Sequence, residues 1–327
     1  MVALSMKAYR WNGPGTGLTL QDVLVPKPSA KEVLIEVQAS GLCHSDCHII
    51  DGSQASAIKK RPITLGHEVA GIVTAVGPGV DTTWVGERVT VALGGHPIRT
   101  PNTIGLQIDG GYADFAVARV ESLVRIPENV SFQQAAIATD CLTTAYHAVR
   151  GAGEVAAGMN VGIIGLGGLG SSGLRIAVLA EANVYGFDVD TRRFDKALAN
   201  GAKACFTDLG EAQDIVFDVL VDFVGKGATM AAALGAVKFR GRIVLVGLGE
   251  PSITVPTFAI VWNKVEIRGC LGGSMEDLSN VLELMSTGKL QPELEEIPFN
   301  SVNDGLGRLK AGNVFGRLYT CPRKVLE

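Results

Sequence analysis

The segment Val161-Gly-Ile-Ile-Gly165-Leu-Gly167-Gly168-Leu169-Gly170 constrains this chain more than any other stretch. A run rich in β-branched residues ends at Gly165. Three glycines then stand at G-x-G-x-x-G spacing, and an apolar helical stretch, Leu174–Ala180, follows. Strand, tight turn and helix are thereby predicted within a few residues. Each glycine has its own reason. Gly165 permits the turn, Gly167 lets the backbone approach a pyrophosphate, and Gly170 lets helix and strand pack closely. The helix N-terminus, at Gly168 and Leu169, then faces the phosphates. A second strand, Asn183–Asp188, ends in an acid twenty-three residues after Gly165, where an acceptor for ribose hydroxyls is expected. The strand before, the helix after and this acid argue against a merely glycine-rich turn. The charge of Asp188 repels a 2′-phosphate, which favours NAD(H). Arg192 and Arg193 could hold that phosphate, which leaves NADP(H) open.

The alternation continues through residues 140–270. Strands are predicted at Ile215–Val224 and Arg242–Gly247, with helices from Thr191 and Ala228. This is the pattern of a parallel sheet with crossover helices. Residues 1–135 differ: Val33–Val37, Gly71–Val76 and Arg88–Val91 read as strands, closely punctuated by Gly and Pro. Two helices are predicted in the tail, Met275–Thr287 and Val302–Ala311. In the first, Leu278, Val281, Leu282 and Met285 share one face. With 327 residues the chain has room for roughly two domains. The fold class is α/β: a doubly wound parallel-sheet domain of Rossmann type plus a β-rich domain.

Charge and cysteines narrow the function classes. With 33 acidic against 29 basic residues, the net charge of −4 argues against nucleic acid as a partner. The most apolar run, Val161–Ala180, is interrupted by glycines and Arg175, so no membrane span is expected, and Met1–Lys7 does not open a signal peptide. A cytoplasmic protein is expected. Its six cysteines, Cys43, Cys47, Cys141, Cys205, Cys270 and Cys321, are scattered too widely for a small disulfide scaffold, so reduced thiols, some ligating metal, are expected.

Three segments concentrate metal-ligating residues: Cys43-His44-Ser45-Asp46-Cys47-His48, Gly66-His67-Glu68, and Thr139-Asp140-Cys141-Leu-Thr-Thr144-Ala-Tyr146-His147. A catalytic zinc takes three protein ligands and keeps one position open, and three converging segments could supply them.

Gly66-His67-Glu68-x-x-Gly71-x5-Gly77-x2-Val80 resembles the signature of zinc-containing alcohol dehydrogenases of the medium-chain dehydrogenase/reductase family. Cys43–Asp46, Asp109-Gly-Gly-Tyr-Ala-Asp-Phe115 and Gly165–Gly170 resemble that family too, in the same order. The resemblance covers nearly the whole chain. It implies a GroES-like catalytic domain from residues 1–140 and 271–327, around a Rossmann domain at 141–270. It implies zinc on Cys43 and His67, with a third ligand at Asp140, four residues before Thr144, or alternatively at Cys141. It implies Asp46 orienting His67, Glu68 behind or transiently on the metal, and Thr144 facing the nicotinamide. A substrate oxygen would bond Ser45, and a proton relay would end at His48. His44 and Arg317 would approach the pyrophosphate. Val246, Leu248, Cys270 and Leu271 would offer backbone to the carboxamide, their side chains otherwise lying in the core. Cys47 reads as a packing thiol rather than an alternate ligand or redox site.

One departure from the family is clear: no cysteine stands between Val91 and Asp109, so the structural-zinc lobe is expected to be shortened and its zinc absent. His96, in that stretch, reads as a surface residue. The substrate is expected to be a small alcohol or carbonyl compound, a secondary alcohol/ketone pair over a primary one. A homodimer or homotetramer joined along an edge strand near Lys264–Gly269 is a further implication. The competing readings are a reductase of C=C bonds, of the enoyl or quinone type, and a non-catalytic nucleotide-binding protein.

Overall fold

A computed structural model describes residues 4–93 and 102–323; His96 lies outside the described residues. Two compact units divide the chain. One runs through Asp140 and resumes at Ser274; the other is Cys141–Gly273.

In the second unit, among the described residues, six parallel strands lie in the order Ala204–Phe206, Asn183–Phe187, Asn160–Ile164, Phe217–Asp222, Val237–Leu245, Glu266–Gly269. In sequence order that is 3-2-1-4-5-6, the doubly wound arrangement, with a nucleotide expected at the carboxyl ends of the strands where the order reverses. The central strands Asn160–Ile164 and Phe217–Asp222 are largely buried and mostly apolar, whereas the edge strand Glu266–Gly269 is exposed and carries Glu266 and Arg268. Phe187 stacks on Phe206 and meets Phe217 edge-on, with centroids 5.6 and 5.7 Å apart. The helix Gly168–Leu179 buries Gly170, Ser172, Gly173, Leu174, Ile176 and Ala177. Backbone pairing continues past the last strand, with Cys270 N–H donating to Leu245 O at 2.9 Å. The unit thus runs on to Gly273 rather than stopping at 270.

Two corrections follow here. The fifth strand ends at Leu245, before Val246, because the chain turns out through Gly247 and Gly249. Leu248, beyond that turn, and Leu271, beyond the edge strand, are each 60% exposed, so neither is a core side chain.

The first unit carries a mixed sheet, ordered Leu294–Ile297, Arg317–Thr320, Glu32–Gly41, Glu68–Val76, Arg88–Val91, Leu123–Arg125, with Phe115–Arg119 also paired to Glu32–Gly41. N- and C-terminal segments meet in it through the pairs Tyr319–Gly41 and Thr320–Ser40. A smaller sheet joins the hairpin Ser5–Trp11/Leu18–Leu24 to Ile63–Thr64. The predicted stripe Leu278, Val281, Leu282, Met285 is buried in the helix Met275–Ser286, which Ser274 and Asp277 cap reciprocally. The helix Phe132–Ile137 starts the same way, with Ser131 and Gln134 exchanging bonds. It then passes into a π-helical turn, Ala138–Leu142, which accommodates one residue more than an α-turn.

Candidate metal centre and nucleotide loop

The first unit brings Cys43, His67 and Asp140 together. Cys43 precedes the helix His44–Ile50, His67 precedes the strand Glu68–Val76, and Asp140 sits in the π-turn. One donor atom from each lies within 4.8 Å of the others. Asp140 Oδ2 is 3.5 Å from Cys43 Sγ and 3.2 Å from His67 Nε2. Tetrahedral zinc with bonds of about 2.0–2.3 Å holds such donors about 3.3–3.6 Å apart, so the spacing fits the ion. Cys141 is outside this group and fully buried.

The surroundings fit a cation as well. Asp46 and Glu68 are completely buried, and buried carboxylates need positive partners. Glu68 has Arg317, whose Nη2 donates to its two oxygens at 2.6 and 2.7 Å. Burial still pushes the Glu68 carboxyl up, to about 7, against the opposing pull of Arg317. Asp46 Oδ1 faces His67 Nδ1 at 3.3 Å, which leaves Nε2 toward Cys43 and Asp140, the arrangement a ligating imidazole requires. Burial disfavours the His67 cation, but Asp46 and Asp140 outweigh it and hold the ring well above its ordinary pKa. A metal would replace that proton on binding.

The approach of His67 depends on glycine. Gly66 has φ +89°, and a Cβ there would stand 2.6 Å from the Tyr112 ring. Gly105 and Gly110 crowd the Gly66 carbonyl, where a Cβ would come within 2.6 and 2.4 Å.

In the second unit, the Gly165–Gly170 turn has the shape its sequence demands. Gly165 takes φ +86°, and a Cβ on Gly170 would lie 1.7 Å from Gly165 O. Gly167 is open: the nearest atom to its added Cβ is Arg193 Nη1 at 3.9 Å. Asp188 accepts from Leu166 N–H at 2.7 Å and Asp190 N–H at 2.9 Å, with Arg193 Nε 3.7 Å away.

Comparison with known proteins bears on both units. Residues 29–128 match the alcohol dehydrogenase GroES-like domain, and residues 168–287 match the zinc-binding dehydrogenase domain. An alcohol dehydrogenase of Geobacillus stearothermophilus is 31% identical over 92% of this chain and 95% of its own. The chain belongs to the zinc-type alcohol dehydrogenases of the medium-chain dehydrogenase/reductase family. Among solved structures, the acetophenone reductase of Geotrichum candidum in complex with NAD has TM-score 0.89 at 30% identity, over 98% of both chains. The alcohol dehydrogenase of Aeropyrum pernix has TM-score 0.87 at 27% identity, over 97% of this chain and all of that one. The chain is an alcohol/carbonyl oxidoreductase that uses a nicotinamide cofactor, and reduction of C=C bonds is not favoured.

The remaining residues that the alcohol dehydrogenase resemblance singles out fall as follows. Ser45 Oγ is 3.6 Å from Cys43 Sγ, beside the donor set. His48 Nδ1 lies 3.4 Å from Ser53 Oγ. His44 Nε2 is 2.9 Å from Leu309 O. Arg317 is 4% exposed, with Nη2 on Leu42 O and Glu68. Thr144 is buried in the second unit. Cys47 Sγ packs against Leu306 O at 3.4 Å, and burial, with Asp46 next, pushes its thiol up to about 12. A thiol so raised holds little thiolate near neutral pH. Among the described residues, no helix is long and apolar enough to cross a membrane.

Sequence reading missed Tyr112. It stands in Asp109-Gly-Gly-Tyr-Ala-Asp-Phe115, yet its side chain is fully buried with its hydroxyl 2.7 Å from Asp46 Oδ2. A tyrosine behind two glycines inside that motif was the available signal.

Proposed function

We propose that this dehydrogenase interconverts secondary alcohols and ketones, with NAD(H) preferred over NADP(H), at a centre formed by Cys43, His67 and Asp140. The observation that carries the reading is the Cys–His–Asp donor set at tetrahedral spacing. Bound there, zinc would supply Lewis-acid polarisation of the substrate oxygen. Ser45 then donates to or accepts from that oxygen, and His48 passes the proton toward solvent, a task suited to an imidazole. Glu68 would lie behind a metal held there, with Arg317 as its counter-charge, and Arg317 would also contact the pyrophosphate. His44 is a second such contact. Gly165, Gly167, Gly168, Leu169 and Gly170 cradle the pyrophosphate, Asp188 accepts from the ribose, and Thr144, Val246, Leu248 and Leu271 line the nicotinamide.

Asp188 supports the cofactor preference: it is held by two backbone N–H groups at the end of its strand, where a 2′-phosphate would meet its charge. The name of the acetophenone reductase supports the ketone preference. Six free thiols fit a reducing compartment such as the cytoplasm. The exposed Phe258, Val261 and Trp262, on the helix Thr257–Asn263 that precedes the edge strand Glu266–Gly269, support a homodimer or homotetramer. Light scattering should give two or four copies.

The deciding experiment combines elemental analysis with turnover. One zinc per chain is expected in the purified protein, lost in Asp140→Ala and kept in Cys141→Ala. Zinc kept in Asp140→Ala would transfer the ligand role to Cys141. Turnover of primary alcohols equal to that of secondary ones would refute the substrate preference, and equal kcat/KM with NADP would refute the cofactor preference.

A further inference from the structure

The structure assigns Tyr112 as a positioning residue of the metal centre: its hydroxyl fixes Asp46, and Asp46 fixes His67 with Nε2 turned to the metal. The inference rests on the reading of Cys43, His67 and Asp140 as that centre.

The geometry forms a chain of contacts. Tyr112 O–H donates to Asp46 Oδ2 at 2.7 Å, and the same oxygen receives Cys43 N–H at 3.3 Å. The other oxygen, Oδ1, faces His67 Nδ1 at 3.3 Å. The contact is an ionic one, and neither Oδ1 nor Nδ1 makes a hydrogen bond among the described residues. Asp46 is thus joined to two of the three donor residues, to one through its backbone and to the other through its ring. Its carboxylate could turn about its own axis, and turning would move the Oδ1 acceptor off the imidazole. The Tyr112 hydroxyl opposes that rotation.

The phenol is itself immobilised. Tyr112 is fully buried, and its ring lies against the backbone of Gly66, where a Cβ would come within 2.6 Å. Its N–H bonds Leu65 O at 3.1 Å, two residues before His67. Its hydroxyl is also 3.3 Å from Gly41 O, two residues before Cys43. One side chain therefore touches the approaches to both Cys43 and His67. Burial, with the Asp46 charge next, holds the phenol well above its ordinary pKa, so it remains a donor.

The test is metal affinity by chelator competition, with cobalt substituted for zinc to read ligand geometry in the visible spectrum. Tyr112→Phe keeps the ring on Gly66 and removes only the hydroxyl. It should weaken zinc binding about tenfold, the lower end of the range for partners of ligating histidines, and should shift the cobalt bands. In an Asp46→Asn background the same substitution should add nothing, because the path through Asp46 is already cut. Unchanged affinity and unchanged cobalt bands in folded Tyr112→Phe would overturn the proposal. So would losses that simply multiply in the double variant. Should Tyr112→Phe fail to fold, 3-fluorotyrosine at position 112 retains ring and hydroxyl while altering donor strength. It should move the cobalt bands, and unmoved bands would overturn the proposal. Wild-type protein and Cys43→Ser are measured alongside. If wild type binds no zinc, or Cys43→Ser binds it as tightly, the metal centre itself is misassigned and the role of Tyr112 falls with it.

Discussion

Gly167 and Gly170 lie three residues apart, at the cap and in the first turn of the helix Gly168–Leu179, and alanine at each should have opposite consequences. Gly167 has φ −69° and ψ −164°, open to any residue, and its added Cβ finds nothing closer than Arg193 Nη1 at 3.9 Å. Gly→Ala at such a position stabilises by about 0.4–1 kcal/mol, chiefly by restricting the unfolded chain. The free protein should therefore melt at the same temperature or slightly higher. On the proposed binding mode, the added methyl would occupy space into which a pyrophosphate comes. At cofactor a hundredfold above Kd, binding contributes about 2.7 kcal/mol to stability. If the methyl weakens binding about thirtyfold, only about 0.9 kcal/mol of that remains at the same concentration. At about 2–4 °C per kcal/mol, the NADH-induced rise in Tm should fall from about 5–11 °C to about 2–4 °C. Gly170→Ala places a Cβ 1.7 Å from Gly165 O, so helix and strand must separate. Overpacking of this kind costs about 1–3 kcal/mol, or about 2–12 °C, before any cofactor is added. Differential scanning fluorimetry with and without NADH, and calorimetric titration of NADH, read both effects. Normal NADH affinity in Gly167→Ala would refute the loop as the pyrophosphate cradle. Equal thermal losses in the two variants without NADH would refute the loop geometry.

Other substitutions test the first unit. Arg317→Met should cost about 3–5 kcal/mol, because Glu68 is left buried without its partner. Adding Glu68→Gln should recover much of that loss, and denaturant unfolding of the single and double variants checks it. Gly66→Ala combines a left-handed backbone with a Cβ 2.6 Å from the Tyr112 ring. It should lower Tm and zinc content together, and normal zinc content would contradict the dependence of His67 on this turn. Chelation should abolish turnover and readdition of zinc should restore it, while NADH affinity, measured by calorimetry, stays within about twofold because the glycine loop belongs to the other unit.

Much of this was legible in the sequence because local rules and the global fold agree. The Gly165–Gly170 turn could be read because positive φ at Gly165 and the contact at Gly170 each demand glycine. The helix Met275–Ser286 declared its buried face at i, i+3, i+4, i+7. Cys43 and His67 could be proposed from motif resemblance, and Asp140 from its place four residues before Thr144, with Cys141 beside it as the alternative. Their difference depends on a π-turn, and no residue pattern announces one. The side chains of Leu248 and Leu271 were misplaced because apolar character at a strand end does not say where the strand stops. Tyr112 was missed because its partner, Asp46, is sixty-six residues away. Such pairs are visible only in three dimensions.

The π-turn Ala138–Leu142 sets two adjacent residues, one with a hard oxygen and one with a soft sulfur, on different sides of the same helix. Successive helical residues are separated by about 100°. Loss of one residue upstream in this turn would rotate Cys141 toward the place Asp140 now holds. The choice between an oxygen and a thiolate donor, and with it the preferred metal, is thus stored partly in the length of a helix. If Asp140 is the ligand, a deletion, and not only a substitution, would exchange one ligand chemistry for the other. Surveys that align such centres column by column would record that event as a lost aspartate and overlook the cysteine beside it.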